Sequence, residues 1–330
     1  MKKHKFSIII ANYNGQNYLS DCLSSLFETT HPNFEIIIVE DGSTDSSLET
    51  ISYFRKLHAI VLIKNRHNLG LVASRNKAIE RAKGDILIFL DNDTRVERNW
   101  LTGLEETFSK SSQVGAAQCK IFDFKKKHII QEVGMKIIRQ TGWGMTLGRG
   151  EADRGQYNNS IEIVALGAAL AVRKEVARQV NGFDEKLVHY TDDLDFSWRV
   201  WISGYRIVLS PKSFVYHYTK SHQPTWRLYF HLSKNSYRMI LKNYELINVV
   251  KFVPYSLVIN ACSVIFVFVK RFSLAAFTGF LLGIFWNVIH ISDTLKEREK
   301  VNGYRRVRDN FIFKKIMVGE SALSIYKNYI

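Results

Sequence analysis

The chain has 330 residues, 46% hydrophobic and 23% charged, with only 4 prolines. That composition supports a buried α/β core with an appended segment and excludes a disordered, low-complexity or repeat-built chain. The net charge of +15 is lopsided: residues 1–210 hold 28 Lys+Arg against 25 Asp+Glu, whereas residues 211–330 hold 18 against 6.

Lys2, Lys3 and Lys5 precede the largely apolar run Phe6–Ala11, which is too short for the core of a signal peptide. It reads as a first buried strand, and the globular part is expected in the cytoplasm. Further strand-like runs lie at Phe34–Val39, Ala59–Ile63 and Asp85–Leu90, with helical patterns near Gln16–Phe27, Asp45–Lys56 and Leu71–Lys83. Apolar strands alternating with helices predict a doubly wound, mostly parallel sheet with flanking helices. Ser43 or Thr44 is available to cap the second helix.

After Asp91 the rhythm changes. A helix near Arg98–Ser109 is followed by strands at Val114–Phe122 and Ile129–Arg139, then by a glycine-rich stretch from Gly142 to Gly155. A strand at Ile161–Leu166, a helix near Lys174–Val180, an acidic helix start at Asp192–Asp195 and strands near Tyr205–Leu209 and Phe214–Tyr218 complete this half. From Pro224 onward the pattern is helical. Phe252–Val269 and Phe272–Ser292 contain no Asp, Glu, Lys or Arg, and Lys270 and Arg271 separate them. Bases beside apolar stretches point to an anionic membrane surface rather than to nucleic acid. A buried helical pair, in the core or in a dimer interface, is the alternative. Cys22, Cys119 and Cys262 are an odd, scattered set, which fits a reducing compartment better than a disulfide framework.

Four constellations carry chemistry. Asp91-Asn92-Asp93 ends an apolar strand, at the edge where parallel sheets bind ligands. Its two carboxylates suit a hard divalent cation bridging a diphosphate, or else form an exposed acidic turn. Ala11-Asn12-Tyr13-Asn14 and Glu40-Asp41-Gly42-Ser43 put polar groups at the same edge, where Asp41 can accept the imide N–H of uracil or thymine or simply shape a turn. Asn68-Leu69-Gly70 leads into a helix carrying Arg75, which serves either a phosphate or a neighbouring aspartate. Asp192, Asp193 and Asp195 crowd three carboxylates into four residues, suiting a general base or a helix start favoured by its dipole.

Together with Gly182-Phe183-Asp184-Glu185, these motifs resemble the family 2 glycosyltransferases over about the first 240 residues. The resemblance implies a GT-A fold and inverting transfer of a hexosyl or deoxyhexosyl group. The donor would be a UDP-, dTDP- or GDP-sugar, and the acceptor a glycan or lipid-linked molecule of cell-surface polysaccharide synthesis. It implies donor contacts at Ala11, Asn12, Tyr13, Asn14, Glu40, Asp41, Asn68, Gly70, Arg75, Asp91 and Asn92. Asp93, with Asp91 and His217, would hold Mn2+ or Mg2+. Asp193 would be the base beside Asp192, where the family more often has Glu-Asp. Trp226–Asn235 is similar to the aromatic, basic helix of rhamnosyltransferase-like members, with Lys234-Asn235 in place of the usual Arg-Asn. Residues 1–223 would then form the catalytic domain, with a donor half at 1–93 and an acceptor half at 94–223. Residues 224–330 would associate with the cytoplasmic face of the cell membrane, embedded or peripheral.

Three rival classes have features of their own. A haloacid-dehalogenase-type phosphohydrolase also ends a strand with Asp-x-Asp, but Arg95 occupies a position that favours small or β-branched residues. A nonenzymatic membrane-surface binder would leave the acidic clusters without a role. A dinucleotide dehydrogenase lacks its Gly-x-Gly-x-x-Gly after Phe6–Ala11.

Overall fold

The computed structural model describes residues 4–165, 167–218, 225–271 and 274–320. The chain divides into two compact units. The first comprises Met1–Met135, Thr146–Glu185 and Tyr205–Lys220, and the second Lys136–Met145, Lys186–Gly204 and Ser221–Ile330.

The first unit opens with β1 (Phe6–Asn12), α1 (Leu19–Phe27), β2 (Phe34–Glu40), α2 (Ser47–Leu57), β3 (Ile60–Lys64), α3 (Leu71–Arg81) and β4 (Ile86–Leu90). The four strands are parallel, in the order β3-β2-β1-β4. Both faces of the inner strands are buried: Ile8–Ile10, Ile36–Val39 and Ile86–Phe89 are each at most 1% exposed. That burial explains why these runs are apolar throughout instead of alternating. Asp45, rather than Ser43 or Thr44, supplies the first turn of α2, accepting from the Ser47 amide at 3.0 Å.

Next in chain order come β5 (Thr94–Val96), α4 (Trp100–Ser109), β6 (Val114–Asp123), β7 (Ile130–Glu132), β8 (Met135–Ile138), β9 (Gly144–Thr146), β10 (Ala169–Arg173), α5 (Lys174–Gln179), α6 (Asp192–Ile202) and β11 (Arg206–His217). The full order is β3-β2-β1-β4-β10-β6-β11-β5, with β7 on β6. This half is mixed, because β10 runs antiparallel to both β4 and β6.

Several expectations change here. Ile161–Leu166 makes isolated bridges, Glu162 to Val208 and Val164 to Met135, and Leu166 lies outside the described residues. The strand forms just downstream, as β10. Its Ala-rich run favours a helix locally, but the burial of Ala169–Val172 between β4 and β6 overrides that preference. Gly134, at φ +126°, splits the expected Ile129–Arg139 strand into β7 and β8. The two strands expected at Tyr205–Leu209 and Phe214–Tyr218 are one, β11, whose pairing with β6 shifts register between Ser210 and Phe214.

The second unit contains α6, α7 (Trp226–Asn243), α8 (Leu246–Arg271), α9 (Leu274–Ile289), α10 (Ile291–Tyr304), α11 (Asp309–Lys315) and β12 (Met317–Val318), with a small sheet ordered β12-β8-β9. Gly279 and Gly283 let α9 lie against α7: a Cβ at Gly279 would sit 2.5 Å from the Trp226 carbonyl oxygen, and one at Gly283 2.7 Å from Ser233 Cβ. The opposite faces are open, with Val250 and Val258 of α8 and Phe285 and Val288 of α9 each more than 60% exposed. Leu246–Phe266 is long and apolar enough to cross a membrane. The expected second segment, Phe272–Ser292, is not one helix: α9 and α10 meet at a 70° bend, and Phe272 and Ser273 lie outside the described residues. Part of the basic excess is also turned inward. Lys234, Arg238 and Lys242, one turn apart on α7, are at most 3% exposed. They engage the Lys186 carbonyl, Asp293 and Asp195 respectively.

Candidate functional site

The strand register brings the first motifs together. Asn12 pairs with Glu40 across β1 and β2, and the Ile9–Phe89 pairing carries Asn12 level with Asn92 beyond β4. The Asn12 amide joins all three strand ends. Its Nδ2 donates to Glu40 Oε2 at 2.8 Å and to Ser43 Oγ at 3.3 Å, while its Oδ1 accepts from Asn92 Nδ2 at 2.8 Å. Glu40 Oε1 accepts from the Ser43 amide at 2.6 Å, and Ser43 Oγ accepts from the Asn14 amide at 2.9 Å. Asn14 takes a left-handed φ of +50°, and its Oδ1 accepts from the Thr44 amide. Ala11 is half-buried and the Tyr13 side chain is exposed. Gly15 leaves no room: a Cβ there would lie 2.2 Å from Asn12 Oδ1 and 2.3 Å from Asn92 Nδ2.

Asp41 is buried and anchors the loop that enters α3. Its Oδ1 accepts from Asn65 Nδ2 at 2.7 Å and from the Leu69 amide at 2.9 Å, and its Oδ2 accepts from the Gly70 amide at 2.8 Å. Three bonds leave one of a carboxylate's roughly four acceptor positions for a ligand. Gly70, at φ +91°, turns the chain into α3, and the Asn68 side chain stays exposed.

Arg75, on α3, pairs with an aspartate. Its Nη2 donates to Asp91 Oδ1 at 2.9 Å and to the Gly167 carbonyl at 3.1 Å. The guanidinium lies 5.8 Å from the centre of the Phe89 ring and 5.5 Å from that of Phe183. Asn76 holds Phe183 at both backbone groups, accepting from its amide at 2.8 Å and donating to its carbonyl at 2.9 Å. The Gly182-Phe183-Asp184-Glu185 motif thus helps set Arg75, and Arg75 sets Asp91. Asn76 and Asn65 drew no role from sequence, because their partners lie far along the chain.

His217 reaches the same place through the short edge strand β5. Antiparallel pairing sets His217 of β11 opposite Thr94 of β5, one residue from Asp93, and the Tyr218 amide donates to the Asp93 carbonyl at 3.0 Å. His217 Nε2 is 3.2 Å from Asp93 Oδ1. One ligand atom from each of Asp91, Asp93 and His217 lies within 4.8 Å of the others. Two carboxylates and an imidazole at this spacing fit a divalent cation that takes oxygen and nitrogen donors. Enclosure pushes the Asp91 carboxyl above its usual range, and the charge of Asp93 adds to this. Arg75 and His217 pull it back, and the 30% of the side chain open to solvent moderates the effect. Burial works to lower the His217 imidazole, but the Asp93 hydrogen bond and the charges of Asp93, Asp91 and Glu132 outweigh it, leaving it above its ordinary value.

The last cluster belongs to the second unit. On α6, Asp195 is fully buried and bound to Arg199 Nε at 2.8 Å, Lys242 Nζ at 2.9 Å and Asn243 Nδ2 at 2.9 Å. It is a structural charge. Asp192 is buried and Asp193 half-buried. Just before them Tyr190 holds φ at +76°, a conformation that side-chain-bearing residues rarely adopt.

The family model for glycosyl transferase family 2 matches residues 7–170, which include β1–β4, the Asp91-Asn92-Asp93 turn and the start of β10. The chain belongs to glycosyl transferase family 2. Among relatives of this family 2 member, a poly-beta-1,6-N-acetyl-D-glucosamine synthase from Staphylococcus epidermidis is 26% identical over 63% of this chain and 48% of its own length. The chain spans about half or less of the first curated relatives it matches. A crystal structure of GalNAc-T7 with UDP, GalNAc and Mn2+ superposes with a TM-score of 0.69 at 18% identity, covering 99% of this chain and 58% of that one. TarS 1–349 from S. aureus in complex with UDP-GlcNAc does so at 0.60 and 17%, covering 91% and 84%. The fold of this family 2 chain is therefore the α/β GT-A type, with an apolar helical C-terminal segment.

Proposed function

We propose that this family 2 member transfers a hexosyl or deoxyhexosyl group, with inversion, from a nucleotide-diphosphate sugar to a glycan or lipid-linked acceptor in cell-surface polysaccharide synthesis. The observation that carries the reading is the cluster of Asp91, Asp93 and His217 at the carboxyl edge of β1, β2 and β4. Asp91, Asp93 and His217 would hold Mn2+ or Mg2+, which supplies charge to stabilise the departing diphosphate. Asp41 keeps an acceptor position suited to the imide N–H of uracil or thymine, and it fixes the Asn68–Gly70 loop along which the donor lies. Asn12, Glu40 and Asn92, with Ala11, Tyr13 and Asn14, shape the floor of the donor site. Arg75 serves the donor by orienting Asp91. Asp193, beside Asp192, takes the proton from the acceptor hydroxyl as it attacks the anomeric carbon. Family membership and the named relatives support this reading over a phosphohydrolase or a nonenzymatic binder.

The exposed apolar faces of α8 and α9 support docking on the cytoplasmic face of the cell membrane. The first test is calorimetric titration of UDP, dTDP and GDP with and without Mn2+. One nucleotide should bind in a metal-dependent manner, and Asp93→Ala should abolish that dependence. Absence of any nucleotide binding by folded protein sinks the proposal.

A further inference from the structure

The antiparallel pairing of β7 with β6 matches Glu132 to Ile121 and Ile130 to Phe122. Two residues of β7 therefore advance against one of β6, and Gln131 is the extra residue of a β-bulge. Bulges re-aim the side chain of the extra residue. Here the carboxamide of Gln131 reaches the ring of His217, on the strand at the other side of β6. Gln131 Nε2 lies 2.8 Å from His217 Nδ1, and His217 Nε2 faces Asp93 Oδ1 at 3.2 Å. The other amide atom, Gln131 Oε1, is buried with no hydrogen-bond partner among the described residues.

This arrangement suits one protonation pattern and is poised for another. With Gln131 donating to Nδ1, the imidazole proton sits on Nε2 and is given to Asp93. To act as a ligand toward the Asp91–Asp93 pair, Nε2 has to present its lone pair, so the ring proton has to sit on Nδ1. A half-turn of the Gln131 amide supplies what that tautomer needs. Oε1 then accepts from Nδ1–H and leaves the ring Nε2 free, while the amide NH2 takes the buried place that Oε1 held. Ligating histidines are generally held through their second ring nitrogen in this way.

We propose that Gln131 is a positioning residue for the metal centre, selecting the His217 tautomer by turning its amide from donor to acceptor. The proposal rests on the reading of His217 as a metal ligand. Its test is the binding of Mn2+ alone, followed by loss of the electron paramagnetic resonance signal of the free hydrated ion. Alongside it, the 15N chemical shifts of His217 in metal-free protein report the tautomer without any turnover. Gln131→Leu should weaken Mn2+ binding by about 10–100-fold. Gln131→Glu, which can only accept once ionised, should restore binding and place a proton on Nδ1 of the metal-free ring. If the glutamate variant alone folds, its tautomer shift carries the test, and a ring left in the Nε2–H form overturns the proposal. Wild-type Mn2+ affinity in folded Gln131→Leu, with weakened affinity in His217→Ala, overturns the role of Gln131 while leaving the metal site standing. Wild-type affinity in His217→Ala removes the ligand and the inference with it.

Discussion

The two acidic clusters of this chain are built from the same residue type and have opposite electrostatic fates. On α6, Asp195 is fully buried and meets Arg199 and Lys242 together, so its charge is spent inside the second unit. At the edge of the first unit, Asp91 and Asp93 share Arg75 and an imidazole that is charged only when protonated. The first arrangement holds helices together. The second keeps carboxylates close enough to repel and open enough to take a cation. Aspartates crowded in sequence are thus no guide to which are structural, because what decides is how many fixed cations reach each carboxylate: two at Asp195, one at Asp91.

The largest effect on stability should follow removal of a carboxylate from α6. Asp195→Ala removes a buried carboxylate that Arg199 and Lys242 both engage and should cost about 3–5 kcal/mol, read by urea denaturation. Equal stability of variant and wild type would show that Asp195 is not structural. Next, Asp193→Asn should keep nucleotide binding and the unfolding midpoint while lowering turnover by about 10²–10⁴-fold. Wild-type turnover in this variant would take the base role from Asp193. The smallest expected effect comes from Gly15→Ala, whose methyl group would displace the Asn12–Asn92 bridge. It should destabilise by about 1–3 kcal/mol and weaken nucleotide affinity, measured by thermal melts and calorimetry. Unchanged affinity would show that the bridge does not shape the donor site.

The first ninety residues were legible because their code is local. Apolar runs, helix periodicity and turn residues such as Gly42 and Gly70 act over a few positions, and parallel strands put every motif that follows one of them on a single edge. Asp41 and Arg75 were singled out in this way. Their partners were less visible: Asp41 accepts from the Asn65 carboxamide and from the amides of Leu69 and Gly70, and Arg75 meets Asp91 only with α3 docked against the sheet. The second half was harder. The Ala-rich β10 does not read as a strand, because only its neighbours β4 and β6 make it one.

The amino-acid sequence by itself determined the alternation of strand and helix, the placing of Asp91-Asn92-Asp93 at a strand end and the family to which the chain belongs. These depend on short-range periodicity and on motifs a few residues long. The family resemblance grouped His217 with Asp93, but only the folded chain shows that three residues of β5 join them across more than a hundred positions and that Gln131 stands behind that histidine. Tertiary structure also decided that Lys234, Arg238 and Lys242 face inward while α8 and α9 turn apolar side chains out. Those outcomes depend on pairing register and on the packing of helix faces. They arise from contacts between residues distant in sequence, so no local stretch of the chain encodes them.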